Sequence, residues 1–232
     1  MKILLNPKYE ALRAYLTHLE EHFNKEGQEI HRGRNVIRTL RVNGLTLCVK
    51  QYAPPRLFRR IQQVVYKSSK GKLAYIRPLL LKERGFESPE PIAYIRYTHG
   101  LLKNTTYFVC LFSNYRFCMQ DVTNVKSEQN KEVLKFFARY AALLHNTGFL
   151  HRDFSSSNIL YDKIDGRFHF SLIDTNSMKC GLPVSIEEGC RNLAQLTGDE
   201  EFFRLLAAYY AKARKTNEAR CLRLINEARA QK

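Results

Sequence analysis

The sequence predicts an α+β chain in two lobes, a small antiparallel β lobe with basic helices over residues 1–112 and a mostly helical lobe over 113–232. Two observations carry this. Over residues 29–52 and 92–112 apolar residues alternate in short runs, and Asn43-Gly44 separates two of them, the strongest short-range hairpin signal. From Ser127 onward the apolar residues mostly recur at intervals of three and four, the helical period. A chain of 232 residues with 44% hydrophobic and 26% charged content has ample material for a core.

Each element has its local reason. Asn6-Pro7 starts a helix, with Asn as cap and Pro in the first turn; Leu12, Leu16, Leu19 and Phe23 follow at helical spacing, and Gly27 closes it. His18 and His22 lie four apart on it without the acid of a His-Glu-x-x-His site, and read as solvated histidines. Strands follow over 29–33, 36–42 and 45–52 until Pro54-Pro55 breaks the last. Residues 56–67 and 70–84 are helical in pattern. Ser68-Ser69 caps the second, whose apolar face is Leu73, Ile76, Leu79 and Leu80, and Pro78 should kink or restart it. Pro89-Glu90-Pro91 leads to strands 92–97 and 105–112, joined by a turn centred on Gly100. Phe112 to Tyr115 is the hinge between lobes. Ser127 opens a long helix with Val133, Phe136, Phe137, Tyr140, Ala141 and Leu144 on one face, and Gly148 ends it. Residues 159–161 and 168–174 form a hairpin around Asp165-Gly166, and helices fill 186–196, 200–213 and 218–230.

Charge narrows the choice of partners. Lys and Arg outnumber Asp and Glu by 38 to 22, and residues 31–84 alone hold fourteen basic residues and one acid, Glu83. A field of that sign favours a nucleotide, nucleic acid or an anionic membrane, or serves only as a solvated surface. No run of 18 apolar residues marks a membrane span, and the apolar stretch after Met1 is too short for a signal peptide. The six cysteines show no Cys-x-x-Cys pair and no zinc spacing, which suits reduced thiols in the cytoplasm.

The chemistry concentrates at His151-Arg152-Asp153, with Asn158 five residues after the aspartate and Asp174 at the end of an apolar strand. This is the H-R-D-x-x-x-x-N pattern of kinase-like phosphotransferases. Phosphoryl transfer needs an oriented hydroxyl and neutralised phosphate charge. Asp153 would accept the hydroxyl hydrogen bond, while Asn158 and Asp174 would hold Mg2+ against the ATP oxygens. Lys50 closes the apolar run Leu47-Cys48-Val49, as a lysine that pairs the α- and β-phosphates does. Gly33-Arg34-Asn35 occupies the place of a phosphate-covering turn, with one glycine instead of three. The hinge at Phe112 to Tyr115 would meet the adenine edge. Glu83 is the only acid between Lys50 and Gly85, but it sits in the last turn of its helix rather than in the middle, so either it reaches Lys50 from an unusual helix placement, or another acid or none pairs with that lysine.

The assembled pattern resembles the lipopolysaccharide core kinase family, the Kdo/heptose kinases with a protein-kinase-like fold. The residues that carry the resemblance are Gly33-Arg34-Asn35, Cys48-Val49-Lys50, Gly85-Phe86-x-x-Pro89-x-Pro91, His151-Arg152-Asp153 with Asn158, and Ile173-Asp174-x-Asn176. It implies ATP- and Mg2+-dependent phosphorylation of an inner-core sugar, Kdo or heptose, on lipid A. The implied location is cytoplasmic and peripheral, at the inner face of the inner membrane. Asp174-Thr175-Asn176 stands where protein kinases carry Asp-Phe-Gly, and Ser155 where Ser/Thr kinases carry a lysine. Two alternatives stay open: a small atypical Ser/Thr protein kinase, and a non-catalytic basic module for nucleotide or nucleic acid. The absence of an Ala-Pro-Glu segment after Asp174 weighs against the first, and the retained Asp153 against the second, so nucleic acid is not the favoured partner.

Overall fold

Asn43 and Gly44 both take left-handed backbone angles, φ 48° and 75°, so the chain reverses within two residues. That reversal pairs β3 (Val36–Val42) with β4 (Leu45–Tyr52) in continuous register. The computed structural model describes residues 1–53, 70–99 and 103–231. The expected Pro54-Pro55 break, the helix over 56–67, the Ser68-Ser69 cap and the Gly100 turn lie outside the described residues. The chain divides into two compact units, Met1–Lys82 with Pro89–Asn114, and Glu83–Ser88 with Tyr115–Lys232.

The first unit is built on a six-stranded antiparallel sheet. Its other strands are β1 (Lys2–Leu5), β2 (Gln28–Arg32), β5 (Pro91–His99) and β6 (Lys103–Leu111), in the order β1-β5-β6-β4-β3-β2. Strand β1 was not anticipated; four residues at a sheet edge carry too short an alternation to read. The single N-terminal helix expected from the spacing is three pieces: a 3-10 turn (Pro7–Leu12), α1 (Arg13–Thr17) and α2 (Leu19–Lys25). Asn6 caps the first turn as expected, its Oδ1 accepting from the Lys8 amide at 3.1 Å. The break at His18 leaves carbonyls without helical partners, and the Tyr97 hydroxyl donates to two of them, Leu16 at 3.2 Å and Thr17 at 2.9 Å. The expected apolar stripe survives the break. Leu12, Leu16, Leu19 and Phe23 pack with Leu40, Leu47, Val49, Ile95 and Val109 into one core.

Helix α3 (Lys70–Glu83) does not restart at Pro78 and runs through it. It buries Gly71, Ala74, Tyr75, Pro78 and Leu81, whereas the expected face, Leu73, Ile76, Leu79 and Leu80, is half-buried. The proline ring is thus part of the packed face, and one missing backbone donor is tolerated. A Cβ on Gly71 would stand 2.9 Å from the Tyr94 ring, so the small residue sets how closely α3 approaches the sheet.

The second unit centres on α4 (Glu128–Asn146), capped by Ser127, whose Oγ accepts from the Asn130 amide at 3.1 Å. Around it lie α5 (Ile186–Leu193), α6 (Glu200–Arg214) and α7 (Glu218–Ala230). Two small sheets complete the unit: β7 (Phe117–Cys118) and β10 (Arg167–Leu172) flank β9 (Ile159–Ile164), and β8 (Phe149–Leu150) pairs with β11 (Lys179–Cys180). Phe136, expected inside, is 37% exposed; it meets Phe168 instead, and the inward positions go to Leu134, Ala138 and Ala142. Small residues there let helix and neighbours approach.

One ion pair anchors β9. The Arg116 guanidinium grips Asp162 through Nη2 at 2.6 Å and Nε at 3.0 Å, and the Lys163 amide donates to the same carboxylate at 2.8 Å. These bonds, the guanidinium first, hold the Asp162 carboxyl down at about 2. Its stabilisation is therefore complete above the ordinary carboxylate range and lost as pH falls through about 2. Asp162→Asn should cost on the order of 1 kcal/mol at neutral pH, since Arg116 is largely exposed. It should also flatten the acid limb of thermal melts recorded between about pH 4 and pH 2. Parallel melting curves for the two proteins across that range would count against the role given to this pair.

Candidate active site

Gly148 delivers the chain to His151. Its φ is +85°, and a Cβ there would fall 2.0 Å from the Gly181 carbonyl oxygen, so no other residue fits. The Gly181 amide donates back to the Gly148 carbonyl at 3.0 Å, and β8 then pairs with β11 in register Leu150 to Lys179. The loop 151–158 thus starts from a fixed point.

His151 is fully buried, and burial pushes its pKa below the ordinary value, so the ring is neutral. Its Nε2 donates to the Ile173 carbonyl at 2.9 Å. The Ile173 amide donates to the Asn158 carbonyl at 3.0 Å, and the Asn158 Nδ2 donates to the Asp153 carbonyl at 3.0 Å. One residue, Ile173, is therefore held by the loop through both its backbone carbonyl and its backbone amide, and Asp153, Asn158 and Asp174 are brought into one neighbourhood. Asp174 itself has φ +53°, a conformation Asp tolerates better than most residues and one that accompanies functional sites. The side chain of nearly buried Asn176 donates to Asp174 Oδ1, fixing that carboxylate.

The arrangement leaves suitable atoms for chemistry. The Asp153 side chain is exposed and makes no hydrogen bond or ion pair among the described residues, as a base awaiting a hydroxyl requires. Asn158 uses its nitrogen on Asp153, which leaves Oδ1 as an acceptor, and Asp174 is exposed. Among the described residues no three His, Cys, Asp or Glu side chains gather as a metal cluster. One carboxylate with one amide oxygen fits the alternative, a hard cation such as Mg2+ that takes its other ligands from phosphate and water.

A buried chain of polar groups supports the loop from behind. Asn192 Nδ2 donates to the His151 carbonyl at 2.8 Å and its Oδ1 accepts from His145 Nε2 at 3.1 Å. The Tyr210 hydroxyl then donates to His145 Nδ1 at 2.8 Å, and Arg214 donates to the Tyr210 oxygen at 2.6 Å. Gln195 Oε1 accepts from the Phe154 amide at 2.9 Å. Asn192, Gln195, Tyr210 and Arg214 were not legible as site residues, because nothing in their spacing ties them to a loop some forty residues earlier. Asn176 had a signal, its place two residues after Asp174, but no role could be read from it.

The remaining candidates lie in the first unit or at its border. Lys50 alternates with buried Leu47 and Val49, on the sheet face opposite the core, with its Nζ 5.4 Å from the Tyr52 ring centroid. Tyr52 and Tyr94, against which Gly71 packs, share that face, so α3 covers the Lys50 side of the sheet. Gly33 turns β2 into β3 with its amide on the Asn35 carbonyl at 3.1 Å, and Asn35 Oδ1 accepts from the Ala53 amide at 3.2 Å. Arg34 between them is exposed. Glu83 is exposed in the last turn of α3 and makes no ion pair among the described residues; the segment it begins belongs to the second unit.

Comparison with known proteins bears on this geometry. Residues 79–217, more than half of the chain, match the lipopolysaccharide kinase (Kdo/WaaP) family. No curated protein sequence matches. Among solved structures the chain is similar to WaaP in complex with acyl carrier protein, at TM-score 0.66 and 16% identity over 100% of this chain and 99% of that one. It is also similar to the Rio2 kinase-ADP/Mg2+-phosphoaspartate complex from Chaetomium thermophilum (0.51, 18%, covering 97% and 78%). A third is a microcompartment-associated aminopropanol kinase (0.53, 10%, covering 92% and 86%). At these identities the structural likenesses show the fold, which is protein-kinase-like.

The buried chain makes two predictions. A Cβ on Gly189 would fall 2.1 Å from the Tyr210 hydroxyl and 3.0 Å from His145 Nδ1, so Gly189→Ala should destabilise the protein by about 1–3 kcal/mol in denaturant titrations. An unchanged midpoint would show that the chain of bonds is slack. Burial also pushes the His145 pKa from 6.5 down to about 4. The unfolded chain binds a proton there that the folded protein refuses, so stability should fall as pH drops from 6.5 towards 4. His145→Asn should lower overall stability yet lose that slope, which unfolding free energies measured at several pH values would reveal.

Proposed function

The chain belongs to the lipopolysaccharide kinase (Kdo/WaaP) family, and from that premise we propose that it transfers the γ-phosphoryl group of ATP to a hydroxyl of Kdo or heptose in the lipopolysaccharide inner core. That it is a kinase of lipopolysaccharide sugar follows from the family. Supporting the finer reading, one observation carries most weight: an exposed Asp153 carboxylate, unpartnered among the described residues, beside Asn158 and Asp174, all fixed through the backbone of Ile173.

In this reading Asp153 accepts the proton of the attacking sugar hydroxyl and orients its lone pair towards phosphorus. Asn158 through Oδ1 and Asp174 through its carboxylate hold Mg2+, which when bound neutralises charge on the nucleotide phosphates. Asn176 keeps Asp174 from turning away. Lys50 is assigned the α- and β-phosphates, and Gly33, Arg34 and Asn35 the turn over them. Glu83 is assigned to Lys50 as its acid. The Rio2 complex contains ADP and Mg2+, in keeping with this cofactor choice.

The acceptor is lipid-linked, so we place the protein peripherally at the cytoplasmic face of the inner membrane. No helix among the described residues is long and apolar enough to cross a membrane. Lys70 and Lys72, exposed at the start of α3, belong to the basic excess that would meet anionic lipid; Arg56, Arg59, Arg60 and Lys67 lie outside the described residues. Each such charge near an anionic surface contributes about 1 kcal/mol, so a few suffice for reversible docking.

The test is transfer from labelled ATP to Kdo-bearing lipid A, beside a generic protein acceptor. Asp153→Asn should lower turnover by about 10² to 10⁴ while nucleotide still binds. Asp174→Ala should lose Mg2+-dependent nucleotide binding as well. Turnover near normal in Asp153→Asn would end this assignment of the base. Lys50→Ala should raise the KM for ATP far more than loss of an exposed lysine such as Lys82. If Glu83→Ala has no effect beside it, the acid assigned to Lys50 is wrong.

A further inference from the structure

A pocket of about 420 Å³ lies in the second unit, lined by Arg152, Lys179, Glu188, Arg191, Asn192 and Gln195 together with an apolar residue of β8. The mechanism above uses none of its charges. Three cations face one acid there. Lys179 stands 3.4 Å from Glu188, whereas Arg152 and Arg191 are exposed and form no ion pair among the described residues. The two amides add to the imbalance. Gln195 spends its oxygen on the Phe154 amide, so its Nε2 remains as a donor; Asn192 spends both ends, on His151 and His145. The groups left over are donors and positive charge, the complement of a phosphate monoester or a carboxylate.

Position says what such an anion would belong to. Arg152 immediately precedes Asp153, and Asn192 and Gln195 are hydrogen-bonded to the backbone on either side of that aspartate. A group seated in this pocket is therefore at a fixed register to the base, as orientation of an acceptor hydroxyl demands. We propose that the pocket binds an acidic group of the acceptor, a phosphate monoester or a carboxylate, through Arg152, Lys179, Arg191 and Gln195, and so selects acidic sugars and sets which hydroxyl meets Asp153. The identity of the acceptor rests on the function proposed above; the anion site does not.

The experiment has two readouts on the whole chain. In the first, inorganic phosphate is titrated while the side-chain N–H resonances of Gln195, Arg152 and Arg191 are followed by NMR. Saturable shifts should appear and weaken about tenfold in Arg191→Ala, with recovery in Arg191→Lys. Absent shifts, or shifts equal in Arg191→Ala, would overturn the anion site. In the second, the KM for Kdo-bearing lipid A should rise about tenfold in Arg191→Ala with a much smaller change in kcat. Repeating it with acceptor stripped of phosphate, and with acceptor whose carboxylate is amidated, identifies the source, since the effect of Arg191→Ala should vanish in one of the two. Phosphate shifts that depend on Arg191, combined with a KM that does not, would overturn the assignment to the acceptor and leave a site for free phosphate. If the wild-type protein phosphorylates neither this acceptor nor a heptose-bearing one, the proposed function fails, while the titration still decides whether the pocket binds anions.

Discussion

The backbone of Ile173 is the fixed point of the catalytic half. Its carbonyl accepts from the buried ring of His151 and its amide donates to Asn158, so the base-bearing loop and the strand that ends in Asp174 cannot slide past one another. The clamp works because burial keeps His151 neutral, with its proton on the nitrogen that meets the carbonyl. A charged ring there would lack water and would cost more than the bond returns. The price is visible at the other ring nitrogen, Nδ1, which is buried without a hydrogen-bond partner among the described residues.

Everything around the clamp serves to hold it still. Phe137 lies under the loop with Phe154 and Phe170 at ring separations of 5.8 and 5.6 Å, and Phe86 packs on Tyr140 and Phe149. These rings give a floor that is rigid through close packing. Above α4 the polar chain from Arg214 through Tyr210, His145 and Asn192 ends on the His151 carbonyl, so helices near the C-terminus reach the catalytic loop by directed bonds. A phosphoryl transferase gains most from such positioning, since little covalent work falls to the protein. The absence of a long segment after Asp174 fits the same economy. Residues 179–180 return at once to pair with β8, and α5 follows directly.

The first unit follows a different logic. Its N-terminal helices cover one face of the sheet with an apolar core of aliphatic and aromatic side chains, and α3 covers the face that carries Lys50. That helix carries no acid before Glu83, and its other charges are all basic. The concentration of positive charge that began as a property of composition is therefore partly a property of one helix. Phosphate-bearing ligands are the natural counterpart of such a field.

Local chemistry made much of this legible in advance. Hairpin positions follow from Asn43-Gly44 and Asp165-Gly166, because few other pairs accept two successive positive φ angles. The helix starts at Asn6 and Ser127 follow from side chains that accept backbone N–H bonds nearby. The spacing of Asp153, Asn158 and Asp174 pointed to kinase chemistry because loop and hairpin lengths are set within twenty-odd residues of chain. Where tertiary contacts compete with local pattern, the pattern misled. The N-terminal helix breaks at His18, where Tyr97 from a strand satisfies the freed carbonyls. Phe136 turns outward to Phe168, and Pro78 is absorbed into a packed face. The support of the catalytic loop and the cationic pocket beside it were beyond sequence altogether. Asn192, Gln195 and Tyr210 acquire their meaning only when folding brings α5 and α6 against His145 and His151, since a hydrogen bond depends on distance in space and leaves no period along the chain.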